Sequence, residues 1–166
     1  PLMHKELPRF IHYAKKKGIL EVQFNTNAML LTEELAESLI DAGLDRIIFS
    51  LDGINPEVFE RIRPGASYKT ITDNIRQFVR IRDKKNLTRP LTRVQMAVSK
   101  DNIQDVEEYI RTWQDVVNDI GFNLRKEPQK LDMMNNTVPQ GEHYPCPQLW
   151  QRMAIYWNGD TVMCCG

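Results

Sequence analysis

Three cysteines carry the most specific chemistry in this sequence: Cys146, Cys164 and Cys165. Between the first two lies Asn158-Gly159, flanked by short strand-like runs at residues 153–157 and 161–164. An Asn-Gly pair between two such runs is a hairpin signal, because both residues tolerate positive φ. Folding back there brings Cys146 towards Cys164. Thiolates at the base of a small hairpin begin a zinc or iron–sulfur site, with Cys165 as a further candidate ligand. Two alternatives stay open. The cysteines are three unrelated buried thiols, since free cysteine packs as a small hydrophobe, or Cys146 and Cys164 form a disulfide, which a reducing compartment disfavours. His143 is a loop residue or an added ligand.

A second set of polar residues follows the apolar runs that resemble strands. Asn25, Thr26 and Asn27 follow one run, Ser50 and Asp52 the next, and Ser99 and Lys100 a third. In parallel α/β folds ligands sit at the carboxyl ends of strands. Short polar groups there can bond ribose hydroxyls, an amine or a carboxylate. The competing explanation is that Thr26-Asn27 and Asp52-Gly53 are turn residues.

The elements that must position these groups alternate along the chain. A helix is expected over residues 5–17, with Leu7, Phe10, Ile11 and Ala14 on one face and Gly18 as its cap. A strand follows at 20–25. Thr32 is an N-cap with Glu33 and Glu34 in the first turn, and Leu35, Leu39 and Ile40 form the buried face. Residues 46–51 are nearly continuous apolar sequence, as in a strand buried on both faces. Asn55-Pro56 starts a short helix, and Arg63-Pro64-Gly65 is a turn. A helix over 69–83 carries Ile71, Ile75, Phe78, Val79 and Arg82 on one side. A strand at 92–98 precedes a helix capped by Asn102, with Val106, Tyr109, Ile110, Trp113 and Val117 inward and Gly121 at its end. A strand at 122–125 completes the series. This is the pattern of parallel βαβ units, in an open sheet or a barrel. From 126 the periodicity weakens, so the expected division is an α/β unit over 1–125, a linker over 126–145 and a small hairpin module over 146–166.

Composition excludes several classes. The 166 residues carry 22 basic and 22 acidic side chains, so no net charge favours nucleic acid or an anionic membrane. No apolar run reaches the length of a membrane span, and no leader is visible, which predicts a cytoplasmic protein. No Gly-x-Gly-x-x-Gly loop, Walker loop or Gly-x-Ser-x-Gly elbow occurs. The basic clusters at 15–17 and 80–85 read as solvated helix faces. The opening on Pro1 and the ending on Cys164-Cys165-Gly166 predict an internal piece of a longer chain.

Taken together, the residues resemble the radical S-adenosylmethionine enzymes. The run Phe49-Ser50-Leu51-Asp52-Gly53, then a short helix, Arg63 and a long helix, is similar to that family's fourth strand. Gln23-Phe24-Asn25-Thr26-Asn27 resembles the preceding strand, which often ends Thr-Asn-Gly; Ala28 stands here in place of the glycine. Pro1 matches the last residue of the family's Gly-Gly-Glu-Pro element. Cys146, Tyr156-Trp157-Asn158-Gly159-Asp160 and Val162-Met163-Cys164-Cys165 resemble the opening of the SPASM module, which holds auxiliary [4Fe-4S] clusters.

The resemblance implies part of an open (β/α)6 barrel followed by the start of a cysteine hairpin module. It implies S-adenosylmethionine bound by Thr26, Asn27, Ser50, Asp52 and Arg63, and Cys146, Cys164 and Cys165 on an auxiliary cluster. The implied reaction is reductive cleavage of S-adenosylmethionine to a 5′-deoxyadenosyl radical that takes a hydrogen atom from substrate. Implied partners are a peptide, protein or small-metabolite substrate and an electron donor such as flavodoxin or ferredoxin. The Cys-x-x-x-Cys-x-x-Cys motif of the catalytic cluster does not occur in these residues, so the family's reaction is not expected of this chain by itself. The alternative from another class is an α/β binding or structural protein with a zinc-stabilised hairpin.

Overall fold

Alternation decides which face of each strand is buried. In a computed structural model that describes residues 1–124, 148–151, 153–156 and 158–162, Ile47 and Phe49 are fully buried while Arg46, Ile48 and Ser50 are half-exposed. That strand, β2 (Arg46–Ser50), lies between β1 (Gln23–Thr26) and β3 (Leu91–Val98), and β4 (Asp119–Leu124) flanks β3. All three pairings are parallel. The helices that return the chain are α1 (Leu7–Lys16) before β1, α2 (Glu33–Asp41), the pair α3 (Pro56–Ile62) and α4 (Tyr68–Lys84), and α5 (Val106–Trp113) after a 3-10 turn at Ile103–Asp105. The fold is therefore α/β, four parallel strands in sequential order alternating with helices, as expected for part of an open (β/α) barrel.

The local signals hold at several boundaries. The Thr32 hydroxyl accepts the Leu35 N–H at 3.3 Å, and the Asn55 side chain accepts from Glu57 and Val58. Lys15 and Ala14 carbonyls accept from Gly18 and Ile19, which closes α1 with Gly18 at φ +86°. On α4, Ile71, Ile75, Phe78 and Val79 are buried against the sheet side that carries Ile47 and Phe49, and the rings of Phe49 and Phe78 meet edge-on at 5.9 Å. Each such fully buried side chain contributes about 1.5–3 kcal/mol.

Other expectations change. Phe10 is 52% exposed, tilted against His4 rather than buried in the core. Lys15 and Arg82 are not solvated. Lys15 pairs with Asp45 at 2.7 Å, and Arg82 donates to Asn118 at 2.6 Å and to the Pro90 carbonyl at 3.2 Å. Gly121 does not end a helix: α5 stops at Trp113, and Gly121 sits inside β4 opposite Gln95. Ile110 faces outward, 37% exposed.

Asp45 ties the starts of the strands together. Its carboxylate accepts Lys15 and the Val22 N–H at 2.7 and 2.8 Å on one oxygen, and Arg89 at 3.3 Å on the other. Burial pushes this carboxyl up, but the bonds from Lys15 and Val22 and the charges of Lys15 and Arg89 outweigh it, so it lies below the ordinary value.

The chain divides into two units, Pro1–Arg125 and Lys126–Gly166. In the second, α6 (Gln148–Gln151) precedes an antiparallel hairpin of β5 (Ala154–Ile155) and β6 (Thr161–Val162). Gly159, at φ +90°, donates to the Tyr156 carbonyl at 3.0 Å, and the Asn158 side chain accepts the Asp160 N–H. The turn expected at Asn158-Gly159 is present, with Gly159 supplying the left-handed residue. Cys146, Cys164, Cys165 and His143 lie outside the described residues. Among the described residues no helix is long and apolar enough to cross a membrane.

Candidate functional site

At the carboxyl end of β1 the polar residues build their own turn. The buried Thr26 hydroxyl accepts the Ala28 N–H at 3.1 Å, and the exposed Asn27 side chain accepts the Met29 N–H at 3.3 Å. Ala28 itself adopts φ +60°, a left-handed conformation that favours glycine. It is completely buried, and its carbonyl accepts from Asn74 on α4 at 2.8 Å. Thr26 and Asn27 therefore use their side chains locally, as turn residues do.

Beyond β2 the chain makes a denser cluster. Asp52 is 7% exposed. One carboxylate oxygen accepts the Ala97 N–H of β3 at 2.8 Å. The other takes Nε of Arg63 at 2.7 Å and also pairs with its Nη2. Arg63 closes α3 as its C-cap, so the pair fixes that turn onto the strand ends. With both oxygens engaged, Asp52 acts through Arg63. The Arg63 side chain is still 35% exposed, which leaves its remaining N–H groups able to meet a ligand. Ser50, half-buried one row earlier, makes no side-chain hydrogen bond to a described residue, so its hydroxyl is available.

Asn102 completes the cluster, in a role that sequence spacing does not suggest. It makes no cap bond. Its amide donates to the carbonyls of Asp52 at 2.8 Å and Ala97 at 3.0 Å, and its oxygen accepts the Ser99 N–H at 2.7 Å. At 1% exposure with every group paired, it staples the end of β2 to the end of β3. Ser99 is thus part of this staple.

Behind these strand ends, one face of the segment from Asp105 to Trp113 buries polar atoms without partners: Asp105 Oδ2, the Tyr109 hydroxyl and Trp113 Nε1. Burial pushes the Tyr109 phenol far up, and nearby Asp52 and Tyr68 add to the shift, so it stays protonated.

The opposite sheet face carries residues that alternation in β3 makes legible. In Thr92-Arg93-Val94-Gln95-Met96 the apolar residues point to the helices, which puts Arg93 and Gln95 on the other side with Ser50. Neither is among the site residues that position after a strand selects. Among the described residues no group of three histidine, cysteine or acidic side chains could hold a metal.

One available hydroxyl, that of Ser50, and an anchored arginine, Arg63, thus stand at the carboxyl ends of the parallel strands, where ligands of such folds sit. The described residues offer no iron–sulfur ligand set.

Residues 1–113 match the family model described as the Radical SAM superfamily. A probable GTP 3',8-cyclase of Methanocaldococcus jannaschii is 29% identical over 130 residues, 78% of this chain and 42% of that protein. One from Methanococcus maripaludis is 36% identical over 81 residues, 49% of this chain and 27% of that protein. The chain thus spans less than half the length of these curated relatives. A solved radical S-adenosylmethionine methyltransferase, TsrM from Kitasatospora setae, with cobalamin and a [4Fe-4S] cluster bound, superposes with a TM-score of 0.53 at 20% identity. It covers 72% of this chain and 24% of its own, a likeness of fold.

Proposed function

The chain belongs to the Radical SAM superfamily, and from that premise we propose that its strand ends bind S-adenosylmethionine in a radical oxidoreductase or maturase. When bound, S-adenosylmethionine with a [4Fe-4S] cluster supplies a 5′-deoxyadenosyl radical that removes a hydrogen atom from substrate. The observation that carries the proposal is the available Ser50 hydroxyl at the strand ends where Asp52 anchors Arg63. In this assignment Ser50 bonds a ribose hydroxyl or the carboxylate, and Arg63 balances the carboxylate charge. Asp52 orients Arg63, and Thr26 and Asn27 shape the loop beside them. The protein's own contribution is to orient the bound groups and exclude water.

Cys146 and Cys164, with Cys165, are proposed as ligands of an auxiliary [4Fe-4S] cluster in a SPASM-type module. The antiparallel register Ala154↔Val162 around Gly159 supports the hairpin on which that assignment rests. Because the sequence holds no Cys-x-x-x-Cys-x-x-Cys set, the 166 residues alone are proposed to be inactive. A flavodoxin or ferredoxin is proposed as electron donor, in the cytoplasm. Peptide, protein and small-metabolite substrates fit the family, and the relatives named GTP 3',8-cyclase make GTP the first small metabolite to test.

The test uses the full-length parent protein purified without oxygen. Iron and sulfide are expected, with 5′-deoxyadenosine formed on reduction in the presence of S-adenosylmethionine. Ser50→Ala and Arg63→Met are each expected to weaken S-adenosylmethionine affinity about tenfold, close to 1.4 kcal/mol. Zinc without iron, and no 5′-deoxyadenosine, would instead establish the zinc-stabilised binding protein.

A further inference from the structure

We propose that Arg93 anchors an oxyanion of the substrate, a phosphate or a carboxylate, on the sheet face turned away from the helices. The proposal deepens the functional assignment above and rests on it for the location of S-adenosylmethionine.

An arginine inside a strand is costly to order and desolvate, and this one has space made for it. Arg93 lies across β4 at Gly121. A Cβ built on Gly121 would stand 1.9 Å from Arg93 Nη2 and 2.3 Å from Nε, so any other residue there would expel the guanidinium. The backbone gives no other reason for that glycine, since positive φ is recorded for Gly18, Gly43, Gly65 and Gly159 and not for Gly121.

The charge on Arg93 is only partly answered. Nη1 pairs with Asp119, directly opposite on β4, at 3.2 Å. Nε is buried without a hydrogen-bond partner. An unpaired buried N–H destabilises the fold, and it persists where a missing partner or a function accounts for it. The Asp119 side chain is 46% exposed, and such half-solvated pairs are weak. A phosphate or carboxylate meeting the guanidinium through two parallel N–H bonds is a stronger partner and displaces it.

The neighbours suit the same ligand. Gln95 and Ser50 stand directly opposite each other in the next row towards the carboxyl ends, and Gly121 is opposite Gln95. Both Ser50 and Gln95 are half-buried, and neither side chain bonds a described residue. An oxyanion at Arg93, over Gly121, is thus bordered in the next row by the Gln95 amide, which can donate to it. The competing explanation is an ordinary cross-strand pair between Arg93 and Asp119, which stabilises the sheet and binds nothing.

The two explanations differ in the sign of one effect. In the full-length protein, inorganic pyrophosphate and malonate are titrated calorimetrically, with S-adenosylmethionine titrated in the same preparation. Arg93→Met is expected to weaken binding of the better probe about tenfold or more. Asp119→Asn removes the internal competitor and is expected to tighten it about threefold. Gly121→Ala displaces the guanidinium and weakens binding, while Arg93→Lys retains part of it as a point charge. A better response to pyrophosphate than to malonate identifies a phosphate, and the reverse a carboxylate. No binding of either probe, or an Asp119→Asn variant that binds equally or more weakly, overturns the proposal in favour of the cross-strand pair. Loss of both Arg93→Met and Asp119→Asn to misfolding, with Arg93→Lys folded and binding unchanged, also overturns it. Failure of the wild-type protein to bind S-adenosylmethionine counts against the functional assignment and leaves the oxyanion titration to be judged separately.

Discussion

Replacing Asp52 with asparagine isolates the link between the fold and the proposed cofactor site. Asparagine keeps an acceptor for the Ala97 N–H but turns an amide towards Arg63 in place of the second oxygen. Breaking a fully buried ion pair costs about 3–5 kcal/mol, and breaking an exposed one about 0–1. Here the Asp52 side chain is 10% exposed and Arg63 35%, so the freed guanidinium can turn to water. The expected loss for Asp52→Asn is about 1–2 kcal/mol, between those limits. Arg63→Met strands a carboxylate that cannot turn to water, and should cost somewhat more, about 2–3 kcal/mol. The double variant should recover about 1–2 kcal/mol relative to the sum. Urea denaturation of the chain measures all three, provided the dependence on denaturant is unchanged. In the full-length protein, Asp52→Asn should also weaken S-adenosylmethionine binding about tenfold, through a misplaced Arg63. A coupling below about 0.5 kcal/mol would refute the ion pair as the connection. Weakened binding in Asp52→Asn with none in Arg63→Met would show that Asp52 meets the ligand directly.

Two further outcomes are expected. Tyr109→Phe removes a buried hydroxyl that has no protein partner, so stability should stay level or rise by up to about 1 kcal/mol; a loss of that size in urea denaturation would mean that an ordered water completes the bond. Asp45→Asn should destabilise the chain at neutral pH, and its deficit should shrink on acidification. The Asp45 carboxyl is depressed in the folded state, so its stabilisation is full above the unfolded value of about 3.9 and is lost as pH falls through the lower folded value. A deficit that is the same at pH 7 and pH 3 in urea midpoints would contradict this assignment.

Much of the α/β pattern is legible in the sequence because its determinants are local. Thr32 and Asn55 cap helices within three residues of themselves. The buried faces of α2 and α4 follow from spacing; the apolar run locates β2, but it is buried on one face, at Ile47 and Phe49, and not on both as the run suggests. What escapes is set by partners far along the chain. Asn102 has the spacing of a cap, yet its amide is claimed by the Asp52 carbonyl, 50 residues away. Arg82 and Lys15 look like solvated cations, and each is drawn inward by a partner 30 or more residues distant. Gly121 reads as a helix stop because glycine usually is one, whereas its role depends on a side chain from the neighbouring strand. At the candidate site, position after a strand finds Ser50 and Asp52 but cannot tell an available hydroxyl from a carboxylate already engaged twice.

The two carboxylates that bracket β2 also bear on the order of assembly. Asp45 reaches its partners Lys15 and Val22 from earlier in the chain, while Asp52 must wait for Ala97 and Asn102. During synthesis from the N-terminus, the start of β2 can therefore lock onto α1 and β1 well before its other end is satisfied. Parallel pairing of this kind is slow because a long loop must close first. A nascent chain that has released Asp52 but not Ala97 holds the carboxylate with Arg63 alone, and the candidate site is completed only once β3 has docked.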